Sequence, residues 1–248
     1  MNSQIISQYI SKNQITAVTL VIAHPDDEIM FFNQLLLALN HWHSEESEGA
    51  ERILKLNIIC LTDGDNNKKY GKLRESELED SCKTLLSNFS LSVNLFIHVG
   101  NFIDSMTEEW DITDVTKYLS EKISSAETNL VITFDSAGIS GHINHRTCNV
   151  AVLKLFNHSN STHIWSLQTP KFFCKYIGGL ACILSSRRSN SNSIVLTNND
   201  IYQLIYLIGI MGFKHKSQMV WYRWLWWLFN SLTWSTTFDI VKYPKKQI

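Results

Sequence analysis

The stretch LVIAHPDDEIMFF, residues 20–32, decides how this chain can fold. Four ionisable side chains stand inside it between two apolar runs, and they are His24, Asp26, Asp27 and Glu28. A short run that is apolar throughout, like the one before His24, is typical of a strand buried on both faces of a parallel sheet. After the charges, apolar residues recur at helical spacing. The charged turn therefore lies where a buried strand ends and a helix begins.

Further apolar runs, rich in β-branched residues, alternate with segments of helical periodicity. The predicted strands are residues 17–23, 53–62, 93–99, 129–134 and 163–167. Strands that alternate with helices form right-handed βαβ units and a parallel sheet. The chain is therefore predicted to be an α/β protein, with a Rossmann-like three-layer fold, a mostly parallel central sheet and a C-terminal aromatic-rich helical region.

Polar loops follow three of the predicted strands. HPDDE (24–28) follows the first strand, TDGDN (62–66) follows the second, and FDSAGISGHINH (134–145) follows the fourth. Open α/β sheets bind their ligands in the crevice at the carboxyl ends of the strands. We therefore expect these loops to meet at one edge of the sheet and to form the functional site.

The first loop carries residues suited to a divalent metal. His24 and Asp27 are three residues apart, so a helical turn that begins at Pro25 would bring both side chains to one side. An imidazole and a carboxylate are common ligands of zinc and ferrous iron. Asp26, between them, could polarise an attacking water. An acidic helix N-terminus is the alternative, and it explains Asp27 and Glu28 but not His24.

A second pair of candidate ligands lies in GISGHINHRTC, residues 138–148. His142 and His145 are again three residues apart, after a glycine-rich turn. Catalytic zinc sites take three ligands from the protein and keep one position open. His24, Asp27 and one of these two histidines would supply the three ligands, and the other histidine would be free to act on the substrate. A helix-capping histidine is the alternative for either residue.

The composition limits which binding partners and which cellular compartment are expected. A formal net charge of −1 gives no electrostatic reason to expect nucleic acid. The five cysteines form no CxxC pair and are expected to be reduced thiols. Residues 1–14 lack the apolar region of a signal peptide, and no window reaches the ~20 apolar residues of a membrane span. We expect a soluble or membrane-associated protein.

The two histidine motifs resemble a known family. AHPDDE (23–28) followed by SGHINH (140–145) is similar to the de-N-acetylase family, which includes the N-acetylglucosaminyl-phosphatidylinositol de-N-acetylases and the bacterial deacetylases of the mycothiol and bacillithiol pathways. The similarity extends over about residues 16–240. Its further segments are 61–78, with Gly71, Lys72, Arg74 and Glu77 in the expected order, 104–111, 132–145 and 215–230. The last of these resembles the eukaryotic enzymes, whereas Ile143 stands where the family usually has proline.

The resemblance implies a role for each motif residue. His24, Asp27 and His145 would hold a divalent metal, zinc or alternatively ferrous iron. Asp26 would be the general base for the attacking water. His142 would stabilise the tetrahedral intermediate or give a proton to the leaving amine.

Two further residues are candidates for supporting roles. Arg74 could bind the phosphate or the sugar of the substrate, because its planar fork suits oxyanions. A solvated helix residue is the alternative for Arg74, since exposed arginines are common. Glu28 is expected to lie behind the ligands and to orient one of them.

The C-terminal region has an unusual aromatic content. Five of the eight tryptophans fall within residues 221–234, and Lys214, Lys216 and Arg223 stand among them. A core helix is the alternative, but the tryptophans do not occupy a single stripe. Tryptophan mixed with basic residues is typical of a segment that lies on a bilayer. A membrane surface is therefore an expected partner, beside a glycolipid substrate.

These observations combine into one functional hypothesis. We expect a single domain over residues 1–248, with a catalytic core at about 16–184 and an aromatic, membrane-interfacial region at about 198–240. The resemblance implies metal-dependent hydrolysis of the N-acetyl group of N-acetylglucosaminyl-phosphatidylinositol, the second step of GPI-anchor biosynthesis, at the cytosolic face of the endoplasmic reticulum membrane. One alternative is a deacetylase of a soluble N-acetylglucosaminide, which the aromatic tail disfavours. The other is a non-catalytic metal- or sugar-binding subunit, which the complete motif set disfavours.

Overall fold

The computed structural model describes residues 1–41, 54–65, 69–87, 93–157, 159, 161–186, 192–198 and 200–242. The strands are β1 Ala17–Ile22, β2 Leu54–Cys60, β3 Val93–Val99, β4 Asn129–Phe134, β5 Thr162–Leu167, β6 Ser193–Thr197 and β7 Ser235–Val241. The helices are α1 Asn2–Lys12, α2 Asp27–Phe31, α3 Asn33–Asn40, α4 Gly71–Leu85, α5 Ile112–Lys122, α6 Gly138–Gly141, α7 Ile143–Leu155, α8 Leu180–Ser186, α9 Ile201–Lys214, α10 Trp221–Phe229 and α11 Ser231–Trp234. Two 3-10 turns cover Phe172–Cys174 and Lys216–Gln218.

The strands form one mixed sheet. Within the described residues its order is β3-β2-β1-β4-β5-β7-β6. The first five of these strands run parallel, and β7 pairs antiparallel with both β5 and β6. Every residue of β1 and β4 is buried, as expected for central strands covered by helices on both faces. The predicted α/β class and mostly parallel sheet are confirmed.

The strand order contains a topological switch point between β1 and β4. From β1 the chain moves outward to β2 and β3, and it then returns to the other side of β1 to form β4 and β5. Loops that leave two such strands turn in opposite directions and open a crevice between them. β1 ends two residues before His24, and β4 leads into the segment that carries His142 and, in the first turn of α7, His145. The fold therefore brings both histidine motifs to one crevice.

The C-terminal region is joined to the core through the sheet. In β7, Ile240 pairs with Trp165 of β5, so a strand from the predicted tail lies directly beside a strand of the predicted core. Neither β6 nor β7 was predicted. In β7 the apolar residues Phe238, Ile240 and Val241 lie only toward its end, which gives a weak periodic signal. The single-domain organisation over residues 1–248 stays a prediction.

The helices of this region are short. α9 has 14 residues and α10 has 9. Of the helices in the described part of the chain, none combines the length and the apolar character required to span a membrane.

Candidate metal and catalytic site

The turn between β1 and α2 orients Asp27 through its backbone. Oδ2 of Asp27 accepts hydrogen bonds from the N–H groups of Ala23, at 3.0 Å, and His24, at 2.8 Å. Asp26 has a φ of 153° and a ψ of −15°, outside the regions that L-residues normally populate. Backbone strain of this kind persists only where the surrounding structure enforces it, and it concentrates at functional sites. The turn is therefore built to hold these two carboxylates in fixed positions.

The turn between β4 and α7 is also strained. Gly138 and Ile139 have φ values of 59° and 64°, and this region is unfavourable for a β-branched residue such as Ile139. His142 is the N-cap of α7, where its Nδ1 accepts a hydrogen bond from the N–H of Asn144 at 3.2 Å. His145 follows within the first turn of α7, and its ring stacks on Phe134 with the ring centroids 4.0 Å apart. Both histidines are thus held in place by the helix start.

Three side chains from the two turns converge. Nε2 of His145 lies 3.3 Å from Oδ1 of Asp27 and 3.3 Å from Nδ1 of His24. Nδ1 of His24 lies 3.6 Å from Oδ2 of Asp27. All three side chains are buried, and their ligand atoms lie within 4.8 Å of one another. Two imidazole nitrogens and a carboxylate fit a divalent metal, and these are the three residues that the motif resemblance predicts as ligands.

In His145 and His24, the ring nitrogen that faces away from the candidate metal site also has a partner, which supports the assignment of both residues as ligands. Nδ1 of His145 lies 3.2 Å from the carbonyl oxygen of Gly138, which can only accept, so Nδ1 carries a proton and Nε2 is the nitrogen that faces Asp27 and His24. Nε2 of His24 lies 3.1 Å from Oδ1 of Asp104. A histidine ligand commonly donates its other N–H to a carbonyl or a carboxylate, which fixes the tautomer and aims the lone pair at the metal. Both rings meet that requirement.

Asp104 is a site residue that the sequence reasoning missed. It lies in the loop after β3, and the sequence analysis placed it only inside the family-like segment 104–111 without a role. The available signal was its position after a strand that ends at the same edge of the sheet. Asp104 also forms a second group of ligand atoms with His24 and His142, again within 4.8 Å, but two of its three members are only half-buried. The fully buried group of His24, Asp27 and His145 is the better metal site, with Asp104 supporting His24.

The charges within the site shift three pKa values. Burial raises the pKa of Asp27, but the charge and hydrogen bonds of His145 and His24 outweigh it and hold this pKa well below its ordinary value. Burial lowers the pKa of His24, but the hydrogen bonds to Asp104 and Asp27 outweigh it and raise this pKa to about 10. Burial, together with the charges of His24 and His145, lowers the pKa of His142 to about 4. His142 is therefore neutral near pH 7, and since its Nδ1 accepts from the backbone, its Nε2 carries the proton.

Asp26 has a partner from the far end of the chain. Nη1 of Arg223 lies 2.6 Å from Oδ2 of Asp26. Arg223 belongs to α10, and the sequence reasoning treated it only as one of the basic residues of the tail. No local pattern connects the two residues, because only the tertiary fold brings α10 across the β1–α2 turn.

Arg74 lies beside the motif turn. Its Nη2 donates to the carbonyl oxygen of Pro25 at 3.4 Å and to Oε1 of Gln218 at 2.5 Å, and its Nη1 lies 3.9 Å from Oδ2 of Asp104. Its side chain is 16% exposed, which disfavours the alternative of a solvated helix residue. The structure therefore brings Arg74 next to the candidate site, and its role in substrate binding stays a prediction.

Glu28 points toward α4 and the tail. Its Oε1 accepts a hydrogen bond from Oγ of Ser81 at 2.7 Å and lies 2.7 Å from Nε2 of His215. Its recorded partners among the described residues do not include the three candidate ligands. The role of Glu28 in orienting a ligand stays a prediction.

Comparisons with known proteins show which proteins this chain is similar to. Residues 19–156 match the family model described as GlcNAc-PI de-N-acetylase. The chain is 32% identical over 260 residues to the N-acetylglucosaminyl-phosphatidylinositol de-N-acetylase of Saccharomyces cerevisiae, covering 91% of this chain and 82% of the relative. It is 31% identical over 220 residues to the probable N-acetylglucosaminyl-phosphatidylinositol de-N-acetylase of Schizosaccharomyces pombe, covering 87% and 83%. Among solved structures, the N,N'-diacetylchitobiose deacetylase from Pyrococcus horikoshii shares the fold, with a TM-score of 0.57 at 15% identity over 97% of this chain and 92% of that one.

Proposed function

We propose that this chain, which belongs to the GlcNAc-PI de-N-acetylase family, hydrolyses the N-acetyl group of N-acetylglucosaminyl-phosphatidylinositol to glucosaminyl-phosphatidylinositol and acetate. The family and the enzyme class expected from the sequence motifs are confirmed. The observation that carries the proposal is the convergence of His24, Asp27 and His145 beside Asp26 in a chain of this family.

The three converging residues would hold a divalent cation, which we propose to be zinc, with ferrous iron as the alternative. Such a cation supplies a Lewis acid that polarises an amide carbonyl and acidifies water. Asp104 and the carbonyl of Gly138 keep the two imidazoles in the tautomers that this requires. Asp27 is kept ionised by its neighbours, so it needs no deprotonation to serve as a ligand.

The remaining groups can carry the proton transfers of amide hydrolysis. Water attacks the acetamide carbonyl carbon, and Asp26 takes the proton that this water loses. His142, neutral and protonated at Nε2, donates a hydrogen bond to the oxyanion of the tetrahedral intermediate. Asp26 then returns its proton to the amine as the C–N bond breaks, and acetate is released. Of the two roles that the sequence left open for His142, the low pKa of its ring favours the stabilising one.

The surface beside the site supports a membrane-bound substrate. The segment after β5 lies against the end of α10, where the N–H of Gly178 donates to the carbonyl oxygen of Phe229 at 2.8 Å. Both parts expose large aromatic side chains, with Phe173 at 89% and Trp221 at 76% exposure. The most exposed members of this aromatic surface are Phe172, Phe173, Tyr176, Trp221, Tyr222 and Phe229.

Only Trp227 of α10 is fully buried, so α10 is not a core helix. Lysines stand near these aromatic residues along the chain, at positions 171, 175, 214 and 216. Exposed aromatics bordered by lysines are suited to the interface of a bilayer that contains anionic lipids. We infer that the aromatic surface rests on the cytosolic face of the endoplasmic reticulum membrane, where it would give the site access to a glycolipid.

Acetate release from N-acetylglucosaminyl-phosphatidylinositol by the purified protein tests the proposed function. We expect release that a chelator abolishes and that falls at least about 100-fold in Asp26→Asn, because this variant lacks the proton acceptor. Asp114→Asn, an equivalent change at an exposed position of α5, should retain full activity. Equal or faster release from a soluble N-acetylglucosaminide would favour the soluble-substrate alternative. No release from either substrate by metal-loaded protein would favour the non-catalytic alternative.

A further inference from the structure

A polar cavity of about 290 Å³ lies between the loop after β2 and the start of α10, and two guanidinium groups line it. These belong to Arg74 and Arg223, and Gln218, Gly64 and Tyr222 complete much of the wall.

Both arginines also contact the β1–α2 turn, through Pro25 and Asp26. The cavity therefore borders the turn that carries Asp26. We propose that it binds the phosphodiester of the substrate, and that Arg223 leaves Asp26 to do so. This inference rests on the proposed function.

Arg74 forms the fixed half of this phosphodiester subsite. Its guanidinium is held by the side chain of Gln218 and by the carbonyl oxygens of Pro25 and Gly64. Gly64 has a φ of 71°, and a Cβ at this position would collide with the guanidinium of Arg74. A side chain at position 64 would therefore displace the guanidinium of Arg74. A guanidinium positioned in this way is ready for an oxyanion, because little side-chain freedom is left to lose on binding.

Arg223 forms the half of the phosphodiester subsite whose present contact, with Asp26, can be exchanged for a contact with the phosphate. Asp26 is its only partner recorded among the described residues, through Nη1 at 2.6 Å. That contact lacks the alignment of a hydrogen bond, since Nη1 has no hydrogen-bond partner in the described structure. A guanidinium carries five N–H donors in a planar fork, which phosphate oxygens can match in pairs. A phosphodiester in the cavity would therefore offer Arg223 better geometry than Asp26 does.

The acidic residue of the cavity does not oppose this assignment. Asp65 also lines the cavity, but its Oδ2 accepts hydrogen bonds from the N–H groups of Tyr70 and Gly71, the latter at 3.0 Å. Its charge is directed toward the start of α4, where a carboxylate is favoured. The guanidinium of Arg223 is consequently the group most available to an anion that enters the cavity, and Arg74 adds its positive charge beside it.

The exchange would couple substrate recognition to catalysis. With the cavity empty, Arg223 holds the carboxylate that we propose as the general base. When the phosphodiester binds, Arg223 turns to it and leaves Asp26 free to accept the proton of the attacking water. A glucosaminide without a phosphodiester binds without this release. Arg223 is thus a specificity-determining residue supplied by the same helix that forms the aromatic surface.

A pair of water-soluble substrates tests the inference without a membrane. N-acetylglucosaminyl-glycerophosphoinositol carries the phosphodiester, and N-acetylglucosaminyl-inositol lacks it. We expect the ratio of their kcat/KM values to favour the phosphodiester in the wild type and to fall at least about tenfold in Arg223→Gln, the effect of losing a charge-assisted hydrogen bond. Lys117→Gln, which removes an exposed charge from α5, should leave the ratio within about twofold. An unchanged ratio in Arg223→Gln would overturn the inference.

A binding measurement separates this inference from the proposed function. Glycerophosphoinositol should bind the metal-free wild type and bind at least about tenfold more weakly to Arg223→Gln, whose fold is checked by thermal denaturation. If the wild type hydrolyses neither substrate but shows this difference in binding, the subsite stands and the proposed function fails. If Arg223→Gln instead weakens only the binding of vesicles that contain phosphatidylserine, Arg223 serves lipid headgroups and the subsite is refuted.

Discussion

Glu28 of the HPDDE turn and His215 of the C-terminal region form a fully buried contact, with Oε1 and Nε2 2.7 Å apart. Gln218 extends the contact, because its Nε2 lies 2.9 Å from Nδ1 of His215 while its Oε1 accepts from Arg74. A carboxylate so deeply buried requires partners, and Glu28 finds one of them in the tail. The C-terminal region is therefore part of the structure of the site and not an appendage to it.

His215→Ala should lower the free energy of unfolding by about 3 kcal/mol, because it leaves the buried carboxylate of Glu28 with one of its two partners. Urea denaturation followed by circular dichroism measures this change. Lys216→Ala, at the exposed neighbouring position, should leave the urea concentration at the midpoint of unfolding unchanged. Equal midpoints for His215→Ala and the wild type would show that the contact contributes little to stability.

Asp104→Asn should weaken metal binding by about tenfold to 100-fold, because His24 loses the carboxylate that fixes its tautomer. Competition with a chromophoric chelator gives the dissociation constants of zinc and ferrous iron. Glu109→Gln removes an exposed carboxylate from the same loop and serves as the control. If both variants bind metal as tightly as the wild type, Asp104 does not support the metal site.

Metal binding should release about one proton at pH 7, because the pKa of His24 is about 10 in the metal-free protein and a ligand nitrogen must be unprotonated. The raised pKa means that His24 is protonated below pH 10, so metal affinity should increase as the pH rises toward that value. Isothermal titration calorimetry in buffers of different ionisation enthalpy counts the protons. Zero protons released would indicate that His24 is neutral before the metal binds, or that it is not a ligand.

Ile143→Pro should raise the free energy of unfolding by about 0.5 kcal/mol without loss of activity. Ile143 is the first residue of α7, the position that best accepts proline, and the ψ of 124° at His142 is compatible with a following proline. The chain thus tolerates isoleucine at a position that suits the usual proline. Thermal denaturation of the wild type and Ile143→Pro, measured side by side, shows whether the substitution stabilises the fold. Asn144→Pro, one position further into the helix, should be destabilising.

Phe173→Ser should weaken binding to phosphatidylcholine vesicles that contain phosphatidylserine by about fivefold to tenfold, because a large ring is removed from the centre of the aromatic surface. Vesicle sedimentation measures the partition. Phe96→Ser removes a ring of the same size from β3, away from this surface, and should bind as the wild type does. Identical partition for both variants would argue against a membrane role for Phe173.

Much of the fold could be predicted because its signals are local. The runs at β1, β2 and β4 are mostly apolar, which is typical of central parallel strands, and the structure forms strands there. The antiparallel strand β7 was missed, because its apolar residues Phe238, Ile240 and Val241 lie only toward its end and set no clear period. In the site, the motif spacing predicted that His24 and Asp27 would meet one of the two histidines, and the family resemblance selected His145. The structure brings these three side chains together, since each motif directly follows a central strand.

The sequence by itself determined the α/β class, the family and the residues at the ends of the central strands. It could do so because periodicity and motif spacing act over a few residues, within the reach of one turn of helix or one strand. The tertiary structure alone decided the partners of those residues: Asp104 behind His24, Arg223 against Asp26, and His215 on Glu28. These contacts join segments that are distant along the chain. They exist because burial in a shared crevice forces each charged group to find a partner, and only the packing of the sheet and its loops selects which one.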